Sequence, residues 1–491
     1  MNKRRRILVL MTVVATAAAF AGRSYAEDTN TVPSATIDEK INRLEQEIQE
    51  LKHQRELDQQ QAQQQAQQQS AQVAQLMKPG PTVSAGAEGF ALQSPNTNYV
   101  LRLRGYAQAD GRFYFDDRAN KATDTFLMRK VRPVLEGTLA RDFDFRIMPD
   151  FGNGASSSTL LQDAYIEWHY WPWLKVRVGK YKPPVGLEQL QSDTDLLFVE
   201  RGLPSDLVPQ RDVGAQVSGS LFDNTVTYAA GIFNGVVDSG IADLAGWDSK
   251  DGAARIFLQP FWNTGIAPLQ GLGFGAGGTY GFADVSSTTT NLPIYKSVGQ
   301  LQFFSFDSGV TLDGQQIRGT PQAYYFWGPL GLLGEYTVSQ EAVRKGTVAD
   351  TLRNNAWQIE GGFFLTGETA SYRASPYASG LTPRHPFDLR SGGWGAFELT
   401  ARYGRLELDH DAFSKTPAAA GLRFADPTKN AQEAREWEVG LNWYLNRNIK
   451  WMFDYEETDF NGGAGTETGT AFTIKNRATE RAGLTEIQVL F

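Results

Sequence analysis

The 491-residue chain has no cysteine, so disulfides, thiolate metal sites and cysteine nucleophiles are excluded at once. Histidine is scarce: His53, His169, His385 and His410 are the four, and none stands at HExxH or HxH spacing. Asp388 and Asp409 lie near His385 and His410 in loop-like sequence, but no GxSxG nucleophile motif occurs, so a hydrolase has little to build on and no enzyme is expected. Nothing in these residues calls for a cofactor. Positive charge is in deficit. Residues 1–26 hold five of the 47 basic residues and none of the 55 acidic ones, which leaves 42 against 55 beyond them, a net of −13. That balance argues against nucleic acid as a partner.

Long apolar runs are also missing. Past residue 26 none approaches the ~20 residues of a membrane helix. The first 26 residues read as a secretory signal: Lys3-Arg4-Arg5-Arg6, an uncharged run Ile7–Phe20, then Ser24-Tyr25-Ala26 with cleavage after Ala26. The run is too short to span a bilayer comfortably.

What is present is aromatic residues at 12% and 49 glycines, with a negative mean hydropathy. In a transmembrane β-barrel only alternate residues face lipid, so the mean stays low. The alternation is there. Tyr99, Leu101, Leu103, Gly105 and Ala107 oppose Arg102, Arg104, Tyr106, Gln108 and Asp110. Ala164, Ile166 and Trp168 oppose Asp163, Tyr165 and Glu167; Leu174, Val176 and Val178 oppose Lys175 and Arg177. Trp437, Val439, Leu441, Trp443 and Leu445 oppose Glu438, Asn442 and Tyr444. A dry core would not hold so many charges of both signs, whereas a water-filled lumen would. By the same alternation Lys130, Arg132 and Arg402 face the lumen, most of these charges serving as ion pairs that stiffen the wall.

Short joins at Tyr170–Trp173, Phe222–Asn224, Gly328–Leu330 and Asn446–Asn448 alternate with longer gaps. This implies turns on one rim and loops on the other. Trp168, Tyr170, Trp171 and Trp173 beside a short turn suit an interfacial girdle. The expected fold is an all-β, antiparallel transmembrane barrel of sixteen strands over residues 99–491, with eighteen as the alternative. Val298–Phe306 is the strand in doubt. The final run ends on Phe491, an aromatic terminus typical of barrels in the bacterial outer membrane.

Before the barrel, Ile37, Ile41, Leu44, Ile48 and Leu51 form a heptad seam that fails at Arg55 and Asp58, and Gln59–Gln69 is glutamine-rich. Residues 27–76 are expected to be a short periplasmic α-helical coiled coil plus the glutamine tract, joining protomers or tethering the barrel, or else a solvated helix. Residues 77–98 (KPGPTVSAGAEG) are expected to be a linker.

One gap is out of scale. Residues 179–214 (GKYKPPVGLEQLQSDTDLLFVERGLPSDLVPQRDVG) form a loop far longer than the usual connection. Leu187, Leu190, Leu196, Leu197, Phe198 and Val199 must be buried somewhere, so the loop is expected to fold into the barrel and set the pore.

These segments resemble the phosphate-selective porin O/P family over residues 99–491. The likeness is carried by LRLRGYAQAD (101–110), LMRKVRPVLEGTLARDFDFRIMPDF (127–151), LQDAYIEW (161–168), VRVGKYKPPVGLEQLQ (176–191), FVERGLPSDLVPQRDVG (198–214) and VGLNWYLNRNIKWMFDY (439–455). The resemblance implies a homotrimer of sixteen-stranded barrels in the outer-membrane bilayer, with a constricting loop after the fifth strand. It implies that Arg201 in FVERG is the constriction arginine and Asp163 in LQDAY an acidic residue at the same level. Arg129 and Lys130 match a basic pair on the rung above. Gln189 in GLEQ stands where the phosphate-selective members carry a second constriction lysine. The expected solutes are small anions such as phosphate or polyphosphate, with other small polar solutes the alternative that Gln189 keeps open.

Overall fold

The computed structural model describes residues 34–76, 80–115, 122–152, 160–244, 246–283, 292–372, 380–413, 423–468 and 471–491. The expected signal sequence lies outside them. The chain divides at Gly80 into two units. The first contributes one helix, α1 (Ser34–Leu76), which runs straight through the glutamine tract. At 1.5 Å per residue its 43 residues extend about 65 Å. Its seam residues Ile41, Leu44, Ile48 and Leu51 are exposed.

The second unit is built on strands β1 (Val100–Phe115), β2 (Thr125–Leu139), β3 (Phe143–Pro149), β4 (Leu161–Trp171), β5 (Leu174–Tyr181) and β6 (Asp212–Leu221). These continue into β7 (Val226–Phe233), β8 (Asp251–Leu258), β9 (Leu272–Ala283), β10 (Val310–Trp327) and β11 (Leu330–Lys345). The last are β12 (Val348–Phe364), β13 (Ala396–Glu407), β14 (Ala431–Tyr444), β15 (Ile449–Thr468) and β16 (Glu480–Leu490). Each pairs antiparallel with its neighbour in sequence, and β16 closes on β1 from Arg481↔Phe115 to Leu490↔Tyr106. The barrel is therefore closed with sixteen strands. Closure lets the strand ladder satisfy its own backbone groups, which a hydrocarbon environment demands. Within the doubtful run, Gln302–Ser305 pairs with Ile294–Lys296 in a separate two-stranded sheet, inside the loop between β9 and β10.

The seam has two further parts. Phe491 exchanges backbone hydrogen bonds with Gly105 at 2.9 and 3.0 Å. A Cβ at Gly105 would stand 2.5 Å from the Phe491 ring, so only glycine admits the ring there. Within the segment expected to be a linker, Thr82–Gly86 and Gly89–Gln93 form a hairpin, and its second arm pairs with the start of β1 from Phe90↔Leu103 to Gln93↔Val100.

The burial pattern follows the alternation. On β13, Glu398, Thr400 and Arg402 point inward and are buried, whereas Leu399 and Tyr403 are exposed outside. Aromatics gather at the turn rim: Trp168, Tyr170, Trp171 and Trp173 contact one another, as do Phe397, Trp443, Trp451 and Phe453. Not every connection keeps the rim pattern: only two residues join β11 to β12 on the loop rim, and residues 259–271, between β8 and β9, are long on the turn rim. The connection between β12 and β13 is also long and on the turn rim; its described residues are 365–372 and 380–395. Tyr372 from this connection stacks on Tyr324 and donates its hydroxyl to the Leu187 carbonyl at 2.7 Å.

Candidate pore constriction

The loop between β5 and β6 turns into the lumen and packs there. Val185, Leu187, Leu196, Phe198, Val199, Leu203, Leu207 and Val208 are all buried. Each such side chain removed from water contributes about 1.5–3 kcal/mol; of the residues expected to be buried, Leu187, Leu196, Phe198 and Val199 are, whereas Leu190 and Leu197 are half-buried. Short helical turns at Leu187–Leu190, Asp193–Asp195 and Leu203–Leu207 shape the segment between Gly179 and Gly214.

Its backbone is pinned to one side of the barrel, mostly by acidic residues. Glu335 accepts from the amides of Leu187 and Glu188 at 2.7 and 3.2 Å, and Asp454 accepts from Val199 at 2.7 Å. Arg402 Nη1 meets Glu188 at 3.1 Å and Glu360 at 3.5 Å, its Nη2 bonds Glu438 and donates to the Glu200 carbonyl at 3.0 Å, and the guanidinium lies 4.5 Å above the Phe198 ring. Lys450 donates to the Leu196 carbonyl at 3.0 Å. Arg402, expected as a lumen cation, does face inward, but it sits buried beneath the loop among carboxylates.

The other side of the loop faces β1–β6, and here the basic residues converge. Arg129 and Lys130 are consecutive, yet both point inward. A bulge explains it: Gln108 pairs with Lys130 and Ala109 with Met128, so Arg129 is the extra residue. Arg129 clasps Glu200 through Nε and Nη2 at 2.7 and 3.0 Å, and Arg112 reaches Glu200 at 2.6 Å. A second bulge, at Gln162, turns both Gln162 and Asp163 inward. Asp163 pairs with Arg211 at 3.0 Å and Arg146 at 3.3 Å. Arg132 pairs with Asp150 at 2.7 Å.

At the centre lies Asp193, which sequence reasoning missed. Its Oδ1 meets Arg201 Nη1 and Lys130 Nζ, the latter at 3.5 Å; its Oδ2 meets Arg132 Nη1 and the Tyr106 hydroxyl, the latter at 3.1 Å. Burial alone would raise this carboxyl, but Arg201, Lys130, Arg132 and Lys182 outweigh it and hold the group well below the usual carboxylate range. Glu200 behaves alike: burial is outweighed by Arg129 and Arg112, and its carboxyl is lowered. Lys182, also missed, donates Nζ to the carbonyls of Gln189 and Gln191 at 2.8 and 2.7 Å. Burial, then the neighbouring Arg201, pulls it well below an ordinary lysine. A lysine amine therefore stands at Gln189 even though residue 189 is an amide. Gln189 itself is buried and donates to the Gln210 carbonyl at 3.4 Å.

Above the constriction, toward the loop rim, opens a vestibule of about 1330 Å³ lined by Arg129, Lys130, Arg132, Arg201, Arg211 and Lys296 with Asp150, Asp193, Glu200 and Asp206. Below it lies a space of about 600 Å³ lined by Arg146, Asp163, Arg177, Lys182 and Tyr181 among others. Asp193 and Arg211 line both. Arg201 and Gln189 thus belong to the upper space and Asp163 to the lower. Arg177 pairs with Glu167 at 2.6 Å and Arg104 with Glu136 at 3.2 Å, while Arg102 and Lys175 are half-buried on the lumen side nearer the turn rim. His385 and His410 lie on opposite rims, and Asp388 and Asp409 accept from the backbone amides of Arg390 and Arg353.

A closed sixteen-stranded barrel with an inward loop after its fifth strand defines a porin. The family model for phosphate-selective porin O and P matches residues 100–474, and the chain belongs to that family of outer-membrane channels. An uncharacterised protein of Caulobacter vibrioides is 23% identical over 367 residues, which cover 70% of this chain and 64% of the relative. Among solved structures, the outer membrane channel DcaP of Acinetobacter baumannii aligns over 80% of this chain and 98% of its own, at 11% identity and a TM-score of 0.48. An anion-selective porin from Comamonas acidovorans aligns over 80% and 100%, at 10% identity and 0.46.

Proposed function

We propose that the chain is a passive outer-membrane porin for small anions, which cross along the basic wall of β1–β6 past the inserted loop. The observation that carries this is the convergence of Lys130, Arg132, Lys182, Arg201 and Arg211 on the two spaces that lie above and below the loop beside β1–β6. Basic rings are a known means of favouring anions, and permeation of this kind needs neither cofactor nor catalytic group. In the cell the turn rim and α1 face the periplasm, three copies assemble in the bilayer, and the exposed seam of α1 joins protomers or tethers them. The length of α1 supports that role, because a long polar helix with no packed face is marginal alone.

A second reading, weak selectivity among small polar solutes, is favoured by one feature. Most constriction cations already face a carboxylate: Arg129 and Arg112 face Glu200, Arg132 faces Asp150, and Arg211 faces Asp163.

The test is the reversal potential of the purified protein in a planar bilayer under a potassium chloride gradient, for wild type and Arg201→Ala. Anion selectivity is expected for wild type, with a roughly fivefold fall in the chloride-to-potassium permeability ratio for the variant. A charge about 4 Å from the ion is worth about 1 kcal/mol even at bulk dielectric. Equal cation selectivity in both proteins rejects the anion pathway.

A further inference from the structure

The place best built to hold an anion in this channel is already occupied by the channel's own carboxylate. Each Asp193 oxygen receives two donors: Lys130 and Arg201 on Oδ1, Arg132 and the Tyr106 hydroxyl on Oδ2. The group is buried at a residue that lines both the upper vestibule and the lower space. Its main chain is held as well, because Gln108 donates to the Asp193 carbonyl at 3.3 Å.

We propose that Asp193 is a specificity-determining residue, an internal carboxylate that fills the four-donor cradle of Tyr106, Lys130, Arg132 and Arg201 and keeps small oxyanions from binding there. This rests on the anion pathway above and deepens it. A permeating oxyanion of matching chemistry, a carboxylate or a phosphate, competes with Asp193 for the same donors and passes without being retained. The cradle presents its donors in two pairs, one to each oxygen, which suits any group with two acceptor oxygens on one atom. Without the Asp193 charge, Lys130 and Arg201 have no other acidic side chain within ion-pair distance among the described residues, and Arg132 keeps only Asp150. The cradle then carries a net positive charge and is open to solute.

The test compares wild type, Asp193→Asn, Asp193→Ser and Asp193→Glu in planar bilayers. Each is first checked for the heat-modifiable gel mobility of a folded barrel. The strand ladder closes without the loop, so two neutral variants of different size keep the measurement available. Single-channel chloride current is recorded while inorganic phosphate, and separately acetate, is added. The neutral variants are expected to bind at roughly tenfold lower anion concentration than wild type and to be more anion-selective, while the glutamate variant stays near wild type. Block by phosphate alone identifies a tetrahedral oxyanion, and block by both identifies the shared two-oxygen chemistry. Unchanged block and selectivity in both neutral variants, with wild type anion-selective, overturns the inference and leaves the anion pathway standing. A cation-selective wild type overturns the pathway itself.

Discussion

The two halves of the barrel wall use charge in opposite ways. On β11–β16 the inward positions are crowded with carboxylates: Glu335, Glu341, Glu360, Glu398, Glu436, Glu438, Asp454, Glu456, Glu480 and Glu486, relieved by Arg402 and Lys450. On β1–β6 they are rich in Arg112, Lys130, Arg132, Arg146, Arg177 and Lys180. The acidic half carries the loop. Its acidic oxygens accept loop amides, and its two cations hold loop carbonyls. The basic half lines the two spaces above and below the loop. The same kind of residue is therefore scaffold on one wall and candidate pore lining on the other. What decides is which side of the loop the residue meets, since the loop's backbone bonds to one wall while its Asp193 and Glu200 side chains meet the other.

The strongest way to break this division is Arg402→Leu. It leaves Glu188, Glu360 and Glu438 facing one another without their shared cation. Uncompensated buried charge costs about 3–5 kcal/mol. Denaturant or thermal midpoints should fall accordingly, and the loop, released from its wall, should give larger and noisier single-channel currents.

A smaller effect sharpens the basic side. Asp206 lines the vestibule, and burial pushes its carboxyl up to about 7 against the opposing hydrogen bond from the Lys296 amide. Below that pH the group is neutral and the vestibule gains net positive charge; above it the charge returns. Anion selectivity is expected to be higher at pH 6 than at pH 8, and Asp206→Asn is expected to hold the pH 6 value at both. Reversal potentials at the two pH values check the sign.

The smallest effect tests the underside of the loop. Tyr372→Phe deletes the hydroxyl that supports the Leu187 carbonyl and keeps the ring on Tyr324. One such bond is worth about 0.5–1.5 kcal/mol. Faster amide hydrogen exchange at the start of the loop, with conductance unchanged, is the expected result.

Most of the barrel was legible in the sequence because strand alternation is a strict two-residue rule. It placed Arg402 and Glu438 inside and Trp437 and Val439 outside. The rule fails where a bulge adds a residue. Alternation alone would have turned one of Arg129 and Lys130 outward; only the resemblance kept them together, and the bulge supplies the physical reason. In the inserted loop no period exists, so Asp193 and Lys182 could not be assigned a face. The available signal was weaker: an acidic Ser-Asp-Thr-Asp run on the same loop as Arg201 and Arg211. The hairpin within residues 80–98 was hidden by small residues, although Gly86-Ala87-Glu88-Gly89 is a plausible turn between two short runs. The long connection 365–395 was overlooked because short turns were expected on its rim.

The hairpin also bears on how the barrel avoids sticking to other chains. Strand stagger leaves the first residues of β1 beyond the reach of β16, whose pairing stops at Tyr106. Those residues would otherwise offer a bare row of amides and carbonyls, a template on which a foreign strand could add. Gly89–Gln93 covers the row from within the same chain. The joint between first and last strands is thus guarded as well as closed, with Phe491 as its latch on one side and the hairpin as its cover on the other.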